Sequence, residues 1–118
     1  MLVDDDTAWL ADLQTWLAAD GYEVVGIPRG EWVIQAADVH EPDVVLLDLD
    51  LPGADGFSIL GHLQRRDPEL PVIVMTAFGN IDVEKRVRAL GAVAYVDKPF
   101  RLDTLLRTLR SICRPPCC

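Results

Sequence analysis

Acidic side chains follow two short apolar stretches, one at the start and one near the middle of the sequence. Asp4 and Asp5 come directly after residues 1–3, and Asp48 comes directly after residues 44–47. Carboxylates about 4 Å apart repel one another by roughly 1 to 4 kcal/mol, depending on the local dielectric. Holding several of them together therefore requires a cation or shared protons. Because hard oxygen ligands favour Mg²⁺, these aspartates are candidate magnesium ligands.

A hydroxyl and an ammonium group follow two further apolar stretches. Thr76 comes after residues 72–75, and Lys98 follows residues 93–96 with one aspartate between. With Asp48 as an acceptor, these groups suit phosphoryl transfer, which depends on positioning and on neutralised charge. Each residue also has an ordinary structural role open to it. Asp48 is a common type of turn residue, Thr76 is a β-branched residue that suits a strand, and Lys98 could be a solvated surface charge.

The predicted secondary structure would bring these side chains to one place. Continuous branched apolar runs predict strands buried on both faces, and apolar residues three or four apart predict helices. Strands are expected at residues 1–3, 22–25, 44–47, 72–75 and 93–96, and helices at 7–20, 31–40, 57–66, 83–90 and 102–112. This alternation predicts a three-layer α/β/α sandwich, a flavodoxin-like (βα)5 doubly wound parallel sheet with strand order 2-1-3-4-5. Strands 1 and 3 are then neighbours, so the acids that follow them should meet.

The first helix has an apolar stripe that includes two tryptophans. Its members follow one another at intervals of four, three and one residues, which places them on one helical face: Trp9, Leu13, Trp16 and Leu17. Both tryptophans are therefore expected in the core. Asp6 or Thr7 is expected to cap the N-terminus of this helix.

Length and charge restrict the class of protein. A chain of 118 residues makes one domain of ordinary size, here expected over residues 1–112 with a Cys/Pro-rich tail at 113–118. The net charge of −8 argues against direct nucleic-acid binding by this domain. No long apolar run or basic leader indicates a membrane span or a signal peptide, which favours the cytoplasm. The three cysteines all lie in the tail, where we expect them to be reduced.

The ordered motifs closely resemble the receiver domain of bacterial two-component response regulators. The resemblance extends over nearly all of residues 1–112. It rests on four segments, namely residues 3–6, residues 42–56 with Asp48 and a Leu-Pro-Gly turn, residues 74–77, and residues 91–100 ending in Lys-Pro-Phe. This family would make the protein a phosphorylation-dependent signalling switch and not an enzyme acting on a separate substrate.

The resemblance implies a role for each of the aspartates. Asp48 would accept a phosphoryl group from a sensor histidine kinase or a phosphotransfer protein and form an acyl phosphate. Asp5 and Asp48 would bind Mg²⁺ directly together with the main-chain carbonyl of Asp50, while Asp4 would act largely through water. Mn²⁺ could take the place of Mg²⁺.

The resemblance also implies how the signal would spread. Thr76 would bond a phosphoryl oxygen, Lys98 would add positive charge, and Tyr95 would change rotamer and alter the surface of helix 4, strand 5 and helix 5. That surface would control a downstream protein or a covalently linked output domain. A phosphorylation-dependent homodimer is open as well, although residues 93–94 lack the acids that one branch of the family uses between subunits. The Lys98-Pro99 bond is expected to be cis.

Three other functions compete with this interpretation. Asp48 and Asp50 imitate the Asp-x-Asp motif of haloacid dehalogenase-like phosphohydrolases, but here the acidic pair comes first in the chain. A flavodoxin-like FMN carrier shares the fold, yet three aspartates in the first loop would repel the FMN phosphate. The third alternative is a receiver-like interaction module that is not phosphorylated.

Overall fold

The five strands form one parallel sheet. The computed structural model describes residues 1–113. In the order β2-β1-β3-β4-β5, the strands are β1 Leu2–Val3, β2 Gly26–Ile27, β3 Val45–Asp48, β4 Val72–Thr76 and β5 Ala94–Asp97. All four neighbouring pairs run parallel. The predicted strand order and direction are therefore confirmed.

Five helices cover the two faces of the sheet. They are α1 Thr7–Ala19, α2 Val33–His40, α3 Gly56–Arg66, α4 Ile81–Ala89 and α5 Leu102–Ile112, and a 3-10 turn at Gly30–Trp32 leads into α2. Side chains of β3 and β4 alternate between two cores, because successive residues of a strand point to opposite faces. Leu47 and Val74 belong to the core that includes residues of α2 and α3, whereas Leu46 and Ile73 belong to the one that includes residues of α1 and α5.

The second strand lies later in the sequence than predicted. Residues 22–25 were expected to form it, but β2 is Gly26–Ile27, paired in register with Leu2 and Val3. The short β1 offers only Leu2 and Val3 for pairing. Because these two residues pair with Gly26 and Ile27, residues 22–25 lie outside the paired part of the sheet. Tyr22 is still buried, and its hydroxyl donates a 2.9 Å hydrogen bond to the Cys113 carbonyl.

The prediction that both tryptophans of α1 belong to the core is wrong. Trp16 is 40% exposed and Trp9 is only partly buried. The buried face of α1 is formed by Leu10, Leu13 and Leu17, so the true stripe is rotated toward Leu10. The two indoles lie at its edge, where they meet edge to face with ring centroids 5.8 Å apart.

The prediction that the cysteines of the C-terminal tail are reduced is tested only at Cys113, the one tail residue that the structure describes. Cys113 is disulfide-bonded, so the expectation of reduced cysteines is wrong at this residue. Residues 114–118, which make up the rest of the predicted tail, lie outside the described residues. Within residues 1–113 no helix has both the length and the apolar character needed to cross a membrane.

Candidate functional site

The loop after β1 positions two of the predicted site residues. Asp6 caps α1, because its Oδ1 accepts a 3.1 Å hydrogen bond from the Trp9 amide. The carboxylate of Asp4 turns back into the loop and accepts a 3.0 Å bond from the Asp6 amide. Asp4 is therefore buried at 1% exposure, while Asp5 faces solvent.

The carboxylates of β1 and β3 meet as the topology requires. Strand β1 pairs with β3, and Asp48 is the last residue of β3 at 2% exposure. One carboxylate oxygen from each of Asp4, Asp5 and Asp48 lies within 4.8 Å of the others. Three hard oxygen donors with one exposed member fit Mg²⁺, which usually keeps several waters alongside its protein ligands. The structure thus gathers the predicted carboxylate ligands at one point.

Lys98 lies directly against this carboxylate cluster. Its ammonium donates a 2.7 Å hydrogen bond to Oδ2 of Asp4 and lies 3.3 Å from Oδ2 of Asp48. The peptide bond between Lys98 and Pro99 is cis, as predicted. Partial burial tends to lower the pKa of Lys98, but the bond to Asp4 and the charge of Asp48 outweigh it and raise the pKa. Lys98 is therefore a permanent cation at the centre of the site.

Asp48 carries a buried carboxylate in a confined environment. Burial raises the pKa of its carboxyl above the ordinary value, although the amide of Asp50 and the charge of Lys98 oppose that shift. Its Oδ1 accepts a 2.9 Å hydrogen bond from the Asp50 amide. This bond fixes the orientation of the Asp48 carboxylate at the point where β3 ends and its loop begins.

The side chain of Asp50 reaches the end of β4. Its Oδ1 and Oδ2 accept hydrogen bonds of 2.8 and 2.9 Å from the Thr76 hydroxyl, and Oδ2 accepts a 2.8 Å bond from the Ala77 amide. Thr76 Oγ1 also accepts a bond from the Phe78 amide. The sequence predicted the main-chain carbonyl of Asp50 as a metal ligand, but the contact of its carboxylate with the end of β4 was not predicted.

Tyr95 makes a contact that the sequence did not indicate. Its hydroxyl donates a 2.8 Å hydrogen bond to Oδ1 of Asp97 and lies over Gly79, where an added Cβ would be 1.4 Å from the hydroxyl oxygen. Burial, followed by the hydrogen bond to Asp97, raises the pKa of Tyr95 to about 12. The glycine is therefore needed for this position of the ring.

A doubly wound α/β fold with acids, a threonine and a lysine at the carboxyl ends of its strands defines a class of phosphoryl-handling domains. Within that class, the family model described as the response regulator receiver domain matches residues 1–110. The chain therefore belongs to the response regulator receiver domain family. Receiver domains are signalling domains of two-component systems, and response regulators interact with histidine kinases and output domains.

Curated relatives of the chain include several transcriptional regulators. Transcriptional regulatory protein KdpE of Mycobacterium tuberculosis is 40% identical over 116 residues, which cover 97% of this chain and 50% of that protein. Transcriptional regulatory protein PdtaR of the same species is 33% identical, covering 90% of this chain and 52% of that protein. The chain thus spans about half the length of these relatives.

Solved structures agree with this assignment. A CheY-like receiver domain protein of Methanospirillum hungatei has a TM-score of 0.89 at 26% identity, covering 93% of this chain and 88% of that one. The BeF3-activated N-terminal receiver domain of Klebsiella pneumoniae RstA has a TM-score of 0.87 at 29% identity, covering 94% of each chain.

Proposed function

We propose that the protein is a Mg²⁺-dependent switch whose Asp48 accepts a phosphoryl group from a histidine kinase or a phosphotransfer protein. The observation that carries the proposal is the position of Asp48, buried where Asp4, Asp5 and Lys98 converge. A groove of about 430 Å³ opens beside Lys98 and gives a donor side chain room to approach. Family membership supports the same function.

The transfer itself needs little covalent chemistry from the protein. A carboxylate oxygen of Asp48 forms a bond to phosphorus as the bond between phosphorus and the donor's imidazole nitrogen breaks, and that nitrogen keeps the electron pair. Asp5, Asp48 and the Asp50 carbonyl would hold the metal, with Asp4 acting through water. When bound, Mg²⁺ supplies positive charge to the phosphoryl oxygens. Lys98, 3.3 Å from Asp48, would add a second positive charge.

The switch follows from new contacts to the phosphoryl group. The Thr76 hydroxyl would turn to a phosphoryl oxygen and draw the loop after β4 inward, and Tyr95 would follow by changing rotamer. Phosphorylation only has to favour one of two existing conformations. Phe78 lies in this loop and Ile81 is the first residue of α4. They are 80% and 68% exposed, so movement of the loop would alter an apolar surface at the start of α4.

The partners of the switch are proposed from the family and the chain's charge. The surface of α4, β5 and α5 would act on a downstream protein or a covalently linked output domain in the cytoplasm. A homodimer formed on phosphorylation would use the same surface. The domain would not contact nucleic acid directly, because its net charge is −8. Its only catalysis would be its own phosphorylation and dephosphorylation.

Incubation with acetyl phosphate and Mg²⁺, followed by an intact mass measurement, tests the proposal. We expect one labile phosphoryl adduct that is absent from Asp48→Asn and from a sample with EDTA. Beryllofluoride with Mg²⁺ should change the tryptophan fluorescence, because Trp9 packs against Phe100, two residues after Lys98. No adduct and no fluorescence response would favour the alternative, a receiver-like interaction module that is not phosphorylated.

A further inference from the structure

The Asp50 carboxylate uses two donors that point into the site from the end of β4. The Thr76 hydroxyl lies 2.8 and 2.9 Å from its two oxygens, and the Ala77 amide lies 2.8 Å from Oδ2. Thr76 is only 1% exposed, so its hydroxyl has little access to water as a replacement partner. Hydrogen bonds to an ionised acceptor are shorter and stronger than neutral ones.

The backbone of Asp50 is anchored to the acceptor itself. Its amide donates a 2.9 Å bond to Oδ1 of Asp48, so the carboxylate of Asp50 starts from a fixed point next to Asp48. A phosphoryl oxygen attached to Asp48 and bonded to the Thr76 hydroxyl would need the donor that Asp50 now occupies. Two anions cannot share that donor without a large repulsion.

We infer that the Asp50 carboxylate is an internal competitor, which occupies the Thr76 and Ala77 donors until a phosphoryl group on Asp48 displaces it. This inference rests on the proposed function, since it assigns the same donors to the phosphoryl group. The displaced side chain can turn toward solvent, because Asp50 is already partly exposed. The competitor therefore weakens binding of any phosphoryl group or phosphoryl analogue at Asp48.

Two substitutions separate competition by hydrogen bonding from a simple effect of charge. Asp50→Asn removes the charge but keeps an oxygen that can accept from Thr76 and Ala77. Asp50→Ala removes both the charge and the acceptor, and it leaves the main-chain carbonyl in place. Asp12→Asn, an exposed position on α1, is the control that removes one negative charge elsewhere.

The hydrogen bond from the Ala77 amide to the Asp50 carboxylate is tested without metal or analogue, by amide NMR of the uniformly ¹⁵N-labelled chain. We expect the Ala77 amide proton to move upfield in Asp50→Ala, to move less in Asp50→Asn and to stay unchanged in Asp12→Asn. If the chemical shift of the Ala77 amide proton were unchanged in both Asp50 variants, the inference would be overturned.

The competition is tested by titrating beryllofluoride at saturating Mg²⁺. We expect Asp50→Ala to bind about tenfold more tightly than the unsubstituted chain, as loss of a charged hydrogen bond predicts. Asp50→Asn should fall between them. Equal affinities for the two Asp50 variants would show an effect of charge alone and would refute the competition. If no chain binds beryllofluoride although the Ala77 contact is present, the proposed function fails and the competition fails with it.

Discussion

The ammonium of Lys98 donates a 2.7 Å hydrogen bond to the carboxylate of Asp4, a residue 94 positions earlier in the chain. Asp4 is buried, and Lys98 keeps one-fifth of its side chain exposed. In the metal-free protein this pair neutralises part of the repulsion among the carboxylates at the carboxyl ends of β1 and β3. Lys98 therefore contributes a fixed positive charge to the carboxylate cluster.

Replacing Lys98 with methionine should have two opposite effects. Stability without metal should fall by about 1 to 3 kcal/mol, because a buried carboxylate loses its partner while the remaining exposure of the site softens the loss. Affinity for Mg²⁺ should rise, because a competing positive charge is gone. Chemical denaturation and a metal titration measure the two effects. Lys85→Met, on the exposed side of α4, should show neither.

Asp48→Asn should stabilise the metal-free protein at neutral pH. Burial raises the pKa of Asp48, so the folded protein holds this proton more tightly than the unfolded chain does. Stability is then lost as the pH rises from the unfolded pKa through the folded pKa. The gain from asparagine should be on the order of 1 kcal/mol at pH 7, as for neighbouring carboxylates in a high dielectric. It should vanish in acid below the unfolded pKa.

Denaturation at several pH values, with Asp12→Asn alongside, measures this effect. A gain in Asp48→Asn that persists unchanged in acid would show that packing is its cause, not ionisation.

The strand ends of the site could be predicted because they depend on topology. The runs before Asp48 and Thr76 are apolar at every position, as strands buried on both faces require, and parallel strands place their carboxyl ends at one edge. The predicted strand order followed from the same alternation. The proximity of Asp4, Asp5, Asp48 and Lys98 is now observed, whereas their roles in phosphoryl transfer stay predictions.

Features that depend on side-chain direction could not be predicted. The Asp50 carboxylate contacts Thr76 across 26 positions, and its path is decided by the loop after β3 and not by spacing. The buried face of α1 differs from the predicted one for a similar reason. A stripe through Trp16 and a stripe through Leu10 are both allowed by helical periodicity, and the neighbouring β-strands and α5 select the second. Only packing could decide between them.

Magnesium should raise the unfolding temperature of the chain, and Asp5→Asn should abolish most of that increase. A ligand at one hundred times its dissociation constant stabilises the folded state by about 2.7 kcal/mol, which corresponds to an increase on the order of 10 °C for a domain of this size. Asp5 is the exposed member of the carboxylate cluster, so its removal should not destabilise the metal-free protein. Thermal unfolding with Mg²⁺ and with EDTA measures both expectations. An equal Mg²⁺ response in the unsubstituted chain and Asp5→Asn would exclude this residue as a ligand.

Gly79→Ala should displace the Tyr95 ring and break its bond to Asp97. The new Cβ would lie 1.4 Å from the Tyr95 hydroxyl oxygen and 2.9 Å from Oδ1 of Asp97, so the ring has to turn away. The pKa of Tyr95 should then fall from about 12 toward the ordinary value for tyrosine, because burial and the bond to Asp97 are its first two causes. Tyrosine ring NMR in a Tyr22→Phe background follows this one group.

Gly53→Ala is the matched control for that substitution. Its added Cβ meets nothing within 4 Å, so the cost comes only from the positive φ of 69° and should be about 1 to 2 kcal/mol. Tyr95 should keep its pKa of about 12 in this variant, since no contact to its ring changes. If the Tyr95 pKa were the same in Gly79→Ala and in the unsubstituted chain, the ring would not rest on Gly79. A lowered pKa in Gly79→Ala alone would establish that this glycine holds Tyr95 in its present rotamer, the position from which the switch would start.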